Sequence, residues 1–135
     1  MLSARLGRKL SLHGGGVSVR SFIHMEDVSS ATYNVALQGN TGETYHISTN
    51  QTISIKSLVQ KICNIANVEF NDIVEVSNER LGKDQSYLLN SDKLRNNFGW
   101  IDNINLDIGL NQTLSWIDQN LSILKSMPMD YKHKK

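Results

Sequence analysis

The chain has one cysteine, one proline and no apolar run close to the roughly 18 residues needed to cross a bilayer. Cys63 cannot form an intramolecular disulfide, which excludes a disulfide-stapled scaffold. Its place in an apolar helical pattern predicts a buried, inert thiol. A reducing, cytoplasmic setting is expected, in which the Asn-x-Ser/Thr sequons at Asn50, Asn111 and Asn120 stay idle. Net charge is +1, so no broad field draws nucleic acid or anionic lipid, and neither a nucleic-acid nor a membrane partner is expected. His13 and His24, even with Cys63, lack the spacing of a zinc site, and no metal is expected. No apolar signal region follows Met1. Arg5, Arg8 and Lys9 without an acid have the composition of a mitochondrial presequence, which is a minor reading. The closing Lys132-His133-Lys134-Lys135 run reads as a solvated, frayed end.

What is present is enough for one domain. At 135 residues and 39% hydrophobic content, a chain of this size buries roughly two-thirds of its unfolded surface. Residues 2 to 9 read as a helix end stopped near Gly7, and Lys9 to His13 as an extended piece running into Gly14-Gly15-Gly16. Val17, Val19, Phe22 and Ile23 favour a strand. A helix then opens with Glu26 and Asp27 in its first turn and continues through Ala31, Val35 and Leu37 to Gly39. Glu43 to Ser48 alternates, with Tyr45 and Ile47 on one face, as a half-buried strand should. From Ser54, which reads as the N-cap, Ile55, Leu58, Val59, Ile62, Ile65 and Ala66 recur at helical spacing. Phe70 to Val76 predicts a strand. Ser91 caps a short helix through Phe98 that Gly99 ends, and Leu106, Leu110, Leu114, Ile117 and Leu121 form a helical stripe ending near Leu124. With no repeat and no linker, a single α/β domain, mixed α+β in detail, is the economical description.

Three features could carry chemistry. The triple glycine does not meet the G-x-G-x-x-G pattern of a dinucleotide turn, and a tight turn explains it better. Arg20 lies among apolar neighbours and needs a partner, which is either a phosphate gripped by its guanidinium fork or Glu26 or Asp27. Arg80-Leu81-Gly82-Lys83-Asp84-Gln85-Ser86-Tyr87 gathers two cations, an acid and a phenol around a glycine. It reads either as an anion-and-hydroxyl binding surface or as an exposed polar loop.

The segments "LHGGGVSVRSFIHMEDVSSATYNVAL", "GETYHISTN", "RLGKDQSYLLNSDKLRNNFGW" and "GLNQTLSWIDQN" occur in the order seen in extended short-chain dehydrogenase/reductase enzymes. Over roughly residues 5 to 122, the chain resembles the NAD-dependent epimerases and dehydratases of nucleotide sugars, and dTDP-glucose 4,6-dehydratases above all. The resemblance implies the C-terminal, substrate-binding part of a Rossmann-type enzyme without its cofactor half. Residues 1–124 would form the nucleotide-sugar-binding domain and residues 125–135 a basic tail. It places Arg20 and Arg80 at the nucleotide diphosphate, with Asn50, Asp84 and Tyr87 as further substrate contacts and Lys83 in place of the family histidine. Ser21, Leu81 and Lys83 depart from the dehydratase pattern, so a dTDP-hexose is the foremost substrate while UDP, GDP and CDP sugars stay open.

The family reaction oxidises a hexose at C4, eliminates water across C5 and C6 and returns the hydride, using NAD and a Tyr-x-x-x-Lys pair. Neither a dinucleotide turn nor such a pair stands in a usable place. Tyr131 and Lys135 have the spacing but lie in the tail. No catalytic residue is therefore assigned and NAD is not expected on this chain alone, which would need a Rossmann half or a second copy as partner. The alternatives are a noncatalytic nucleotide-sugar-binding or dimer-partner remnant, another epimerase or decarboxylase of the same family, and a truncated product without function.

Overall fold

A computed structural model describes residues 1–79, 82 and 84–128. The strongest helical pattern in the sequence forms α3, Ile55–Ala66. Ser54 Oγ accepts the Ser57 amide at 3.1 Å to cap its start. Asn67 ends it in the left-handed region at φ 55°, a conformation that asparagine tolerates better than most side chains. The apolar stripe of α3 buries Val59, Cys63 and Ala66 against Ala4 of α1 (Leu2–Arg5), Leu12 of β1 (Leu10–His13), Ile73 and Leu114. Burial pushes the Cys63 thiol above its ordinary value, with the Met1 ammonium opposing and Glu69 adding to the shift. The thiol is thus the inert core group that its sequence position predicts.

A second core lies around α2, Met25–Gln38. Its first turn is capped by His24 Nδ1, which accepts the Glu26 amide at 3.2 Å. Ala31 meets Leu94 of α5 (Asp92–Phe98) and Trp100, and all three are buried. Gly99, at φ 62°, turns the chain out of α5. The buried Asp27 carboxylate accepts the amides of Asn103 and Ile104, each at 3.0 Å, while Trp100 Nε1 donates to the Asp27 carbonyl at 3.2 Å. One turn of α2 therefore anchors the segment that leads into α6, Leu106–Gln119.

The strands are short and form two small sheets. β1 runs parallel to β4, Val74–Ser77, with Leu10 opposite Val74 and His13 opposite Ser77. In the other sheet, β2 (Val19–Arg20) lies between β3 (Ile53–Ser54), antiparallel to it, and β5 (Ser86–Tyr87), parallel to it. Gly14, Gly15 and Gly16 join β1 to β2 through a tight turn with φ of 58°, 66° and 70°. A Cβ at Gly16 would sit 2.7 Å from Leu12 Cδ1 and 2.8 Å from the Lys56 amide nitrogen, so glycine is required there for space as well as for conformation.

Five expectations change. The strand expected from Val17 to Ile23 shortens to Val19–Arg20, because those residues alone find ladder partners. Glu43 to Ser48 is extended and turns Tyr45 and Ile47 to the second core as its alternation predicts, but no described residue pairs with it as a strand. Phe70–Ile73 forms a helical turn, α4, leaving only Val74–Ser77 as strand. Asn120, whose backbone leaves the helical region at φ −110° and ψ 12°, divides the last stripe into α6 and α7 (Leu121–Ser126). Ser91 precedes α5 as expected, yet its hydroxyl caps no amide of the helix and donates to the Ser48 carbonyl, while Asn90 Oδ1 accepts the Asp92 amide at 2.7 Å.

Candidate functional site

Sheet pairing brings predicted site residues together. Arg20 and Tyr87 are register partners on β2 and β5, and Val19 donates its amide to the Gln85 carbonyl at 2.8 Å. The Arg20 guanidinium is half-buried and donates from Nη1 to the Val19 carbonyl and from Nη2 to the Asp84 carbonyl, both at 2.7 Å. Neither Glu26 nor Asp27 takes it, and Asp27 is already committed to the two backbone amides beyond Trp100. Two of the five guanidinium N–H donors are thus used, and no described carboxylate neutralises the charge. Asp84 and Tyr87 are exposed beside it. Arg80 and Lys83 lie outside the described residues.

Asn50 is exposed in the turn before β3, three positions before Ile53, the residue opposite Arg20. That turn is held from within. Ser48 and Thr49 are buried. The Ser48 carbonyl accepts both Ser91 Oγ and Arg95 Nη2 at 2.9 Å, and Thr49 Oγ1 accepts the Gln51 amide at 3.2 Å. Arg95 also donates from Nε to Ser91 Oγ at 3.0 Å and from Nη2 to Asp102 at 2.7 Å, with its guanidinium 4.8 Å from the Trp100 ring centroid. Burial alone would raise the Asp102 carboxyl, but hydrogen bonds from Thr49 and Arg95, its own backbone and the Arg95 charge hold it below its ordinary value. Sequence reading missed this network because Arg95 and Ser48 are 47 residues apart. The one local signal is Ser91 four residues before Arg95 on a single helix face.

At the other end of β2, His13 Nδ1 lies 2.8 Å from Ser77 Oγ, and the Glu79 carboxylate fills the place a Cβ on Gly14 would take. This decides the reading of the three glycines. A dinucleotide cradle needs a glycine turn opening onto a helix N-terminus, where amides and dipole face a pyrophosphate. Here the turn opens onto β2 and carries an anionic side chain against its first glycine, so these residues do not fit NAD.

No protein-family model matches the chain. A trifunctional UDP-glucose 4,6-dehydratase, 3,5-epimerase and reductase of Arabidopsis thaliana is 32% identical over 89% of the chain, which spans 18% of that relative. The structure of dTDP-glucose 4,6-dehydratase from Bacillus anthracis, in complex with NAD, superposes with a TM-score of 0.81 at 31% identity. That match covers 89% of this chain and 38% of the other. The Bordetella bronchiseptica enzyme WbmF, in complex with NAD+ and UDP, superposes with a TM-score of 0.75 at 30% identity, covering 92% of this chain and 36% of that one. The chain thus spans less than two-fifths of the length of each of these proteins. No helix among the described residues is long and apolar enough to cross a membrane. In sequence and in fold, the chain is a homologue of the NAD-dependent nucleotide-sugar dehydratases and corresponds to their C-terminal part.

Proposed function

We propose that this chain holds the nucleotide diphosphate of a nucleotide sugar for a 4,6-dehydratase-like reaction, with Arg20 and Arg80 gripping the phosphates and Asn50, Lys83, Asp84 and Tyr87 completing the contacts. The observation that carries the reading is the Arg20 guanidinium, fixed by two backbone carbonyls, with three N–H donors to spare and no described carboxylate against it. A phosphate satisfies such a fork through two parallel charge-assisted hydrogen bonds. The homologous structures named above were solved with NAD, and one of them with UDP. Since the glycines here do not fit a dinucleotide, we assign NAD to the part of the relatives that this chain does not match. When bound there it would accept and return a hydride. This chain's own residues bind and orient the nucleotide end, and none is assigned a proton transfer. Binding energy from that remote end positions the sugar, so its loss lowers turnover as well as affinity.

Titration calorimetry of the chain with dTDP and with UDP tests this. Binding of at least one is expected, and Arg20→Gln weakens it about ten- to hundredfold, the equivalent of a charged hydrogen bond. Equal affinity of Arg20→Gln and the unaltered chain would sink the assignment. A preference between dTDP and UDP would identify the base.

A further inference from the structure

We propose that Arg95 is a positioning residue: together with Asp102 it clamps the Ser48–Gln51 turn in the conformation that presents Asn50 to the nucleotide. The proposal rests on the nucleotide-holding reading and adds to it a group that touches no ligand.

The geometry is that of a built device rather than a surface ion pair. The Arg95 and Asp102 side chains are 17% and 24% exposed, and Arg95 lies against the Trp100 ring. Its fork reaches three acceptors on three parts of the chain, namely Ser91 Oγ at the start of α5, the Ser48 carbonyl, and Asp102 beyond Trp100. Ser91 Oγ donates in turn to the same Ser48 carbonyl. Thr49 adds to the clamp by accepting the Gln51 amide at Oγ1, and its hydroxyl helps to hold the Asp102 carboxyl below its ordinary value. Both residues before Asn50 are buried and hydrogen-bonded, while Asn50 and Gln51 are exposed. Beyond the turn the chain enters β3, which pairs with the strand carrying Arg20. A shift at Ser48 is passed to Asn50 and cannot be absorbed downstream, where the β3 register is fixed.

Lysine at position 95 keeps the charge but has a single point donor in place of a planar fork, so it cannot serve Ser91, Ser48 and Asp102 together. In Arg95→Lys the Gln51 amide should exchange faster with solvent. Affinity for the nucleotide that binds, dTDP or UDP, should fall roughly three- to tenfold, within the usual range for coupled neighbours. If Arg95 acts through Asn50, the double variant Asn50→Ala/Arg95→Lys binds no more weakly than Asn50→Ala alone. Additive losses in that cycle, or unchanged affinity in a folded Arg95→Lys, would overturn the proposal. Should Arg95→Lys fail to fold, Asp102→Asn carries the same cycle, since it removes the charge that holds the fork. If the unaltered chain binds neither nucleotide, the nucleotide-holding reading falls, and Gln51 exchange still decides the clamp. Acceleration in the variant upholds it, and an unchanged rate overturns it.

Discussion

Two aspartates show how single residues tie this structure together. Asp27 sits in the first turn of a helix, where sequence logic sees only a favourable charge near the N-terminus. The structure gives it a second task, accepting two backbone amides from the segment after Trp100. Asp27→Ala should cost about 1–3 kcal/mol for each donor left unpaired, measured by urea denaturation. Asp27→Asn should recover only part of that, because one of its two acceptors becomes a donor facing an N–H. Asp102 makes a different prediction. Its carboxyl is held below its ordinary value in the folded chain, so its stabilising contribution is full above the unfolded carboxylate pKa of about 4 and is lost as pH falls through the lower folded value. Acid unfolding of Asp102→Asn should therefore show a shallower loss of stability below about pH 4 than the unaltered chain. Equal slopes would show that the Arg95 pair is not coupled to folding.

At the level of elements, what could be read from the sequence depended on how local the cause is. The α3 helix was legible because its six apolar positions and its Ser54 cap lie within one stretch, whereas its left-handed stop at Asn67 was not read. The α2 helix and the glycine turn were legible for the same reason. The sheet containing Arg20 was not, since its three strands have two residues each and no periodicity can announce them. Arg20 and Tyr87 were each singled out, but their adjacency is a product of parallel pairing. The Arg95 network was illegible because its acceptors come from parts of the chain far apart in sequence. Glu43 to Ser48 is the opposite case, with correct alternation but no partner to make it a strand among the described residues. Its amides from Thr44 to Ser48 should exchange well before those in the middle of α2, in a hydrogen-exchange experiment on the chain alone. Leu94, fully buried against Ala31 and Trp100, should cost about 2–5 kcal/mol as Leu94→Ala.

For the whole molecule, the arithmetic of coverage sets the expectation. A chain that matches 38% of a dehydratase, with a glycine turn that does not fit NAD, should give no 4-keto-6-deoxy product when supplied with NAD and dTDP-glucose or UDP-glucose. Measured turnover would overturn that. The surface points the same way. Met25, Tyr33 and Leu37 of α2 are 69%, 66% and 64% exposed. Apolar surface of this kind makes concentration-dependent self-association the expected result in light scattering, and Tyr33→Lys with Leu37→Glu should reduce it.

The bond from Arg20 to the Asp84 carbonyl spans 64 residues of sequence. Contacts of that separation bear a large loop-closure entropy and are expected to form after local helices such as α3. If Arg20 holds phosphate as proposed, phosphate affinity would be a report on completed folding. A nucleotide that binds at Arg20 should leave early helix formation untouched during refolding, and should act by slowing the unfolding of the finished state.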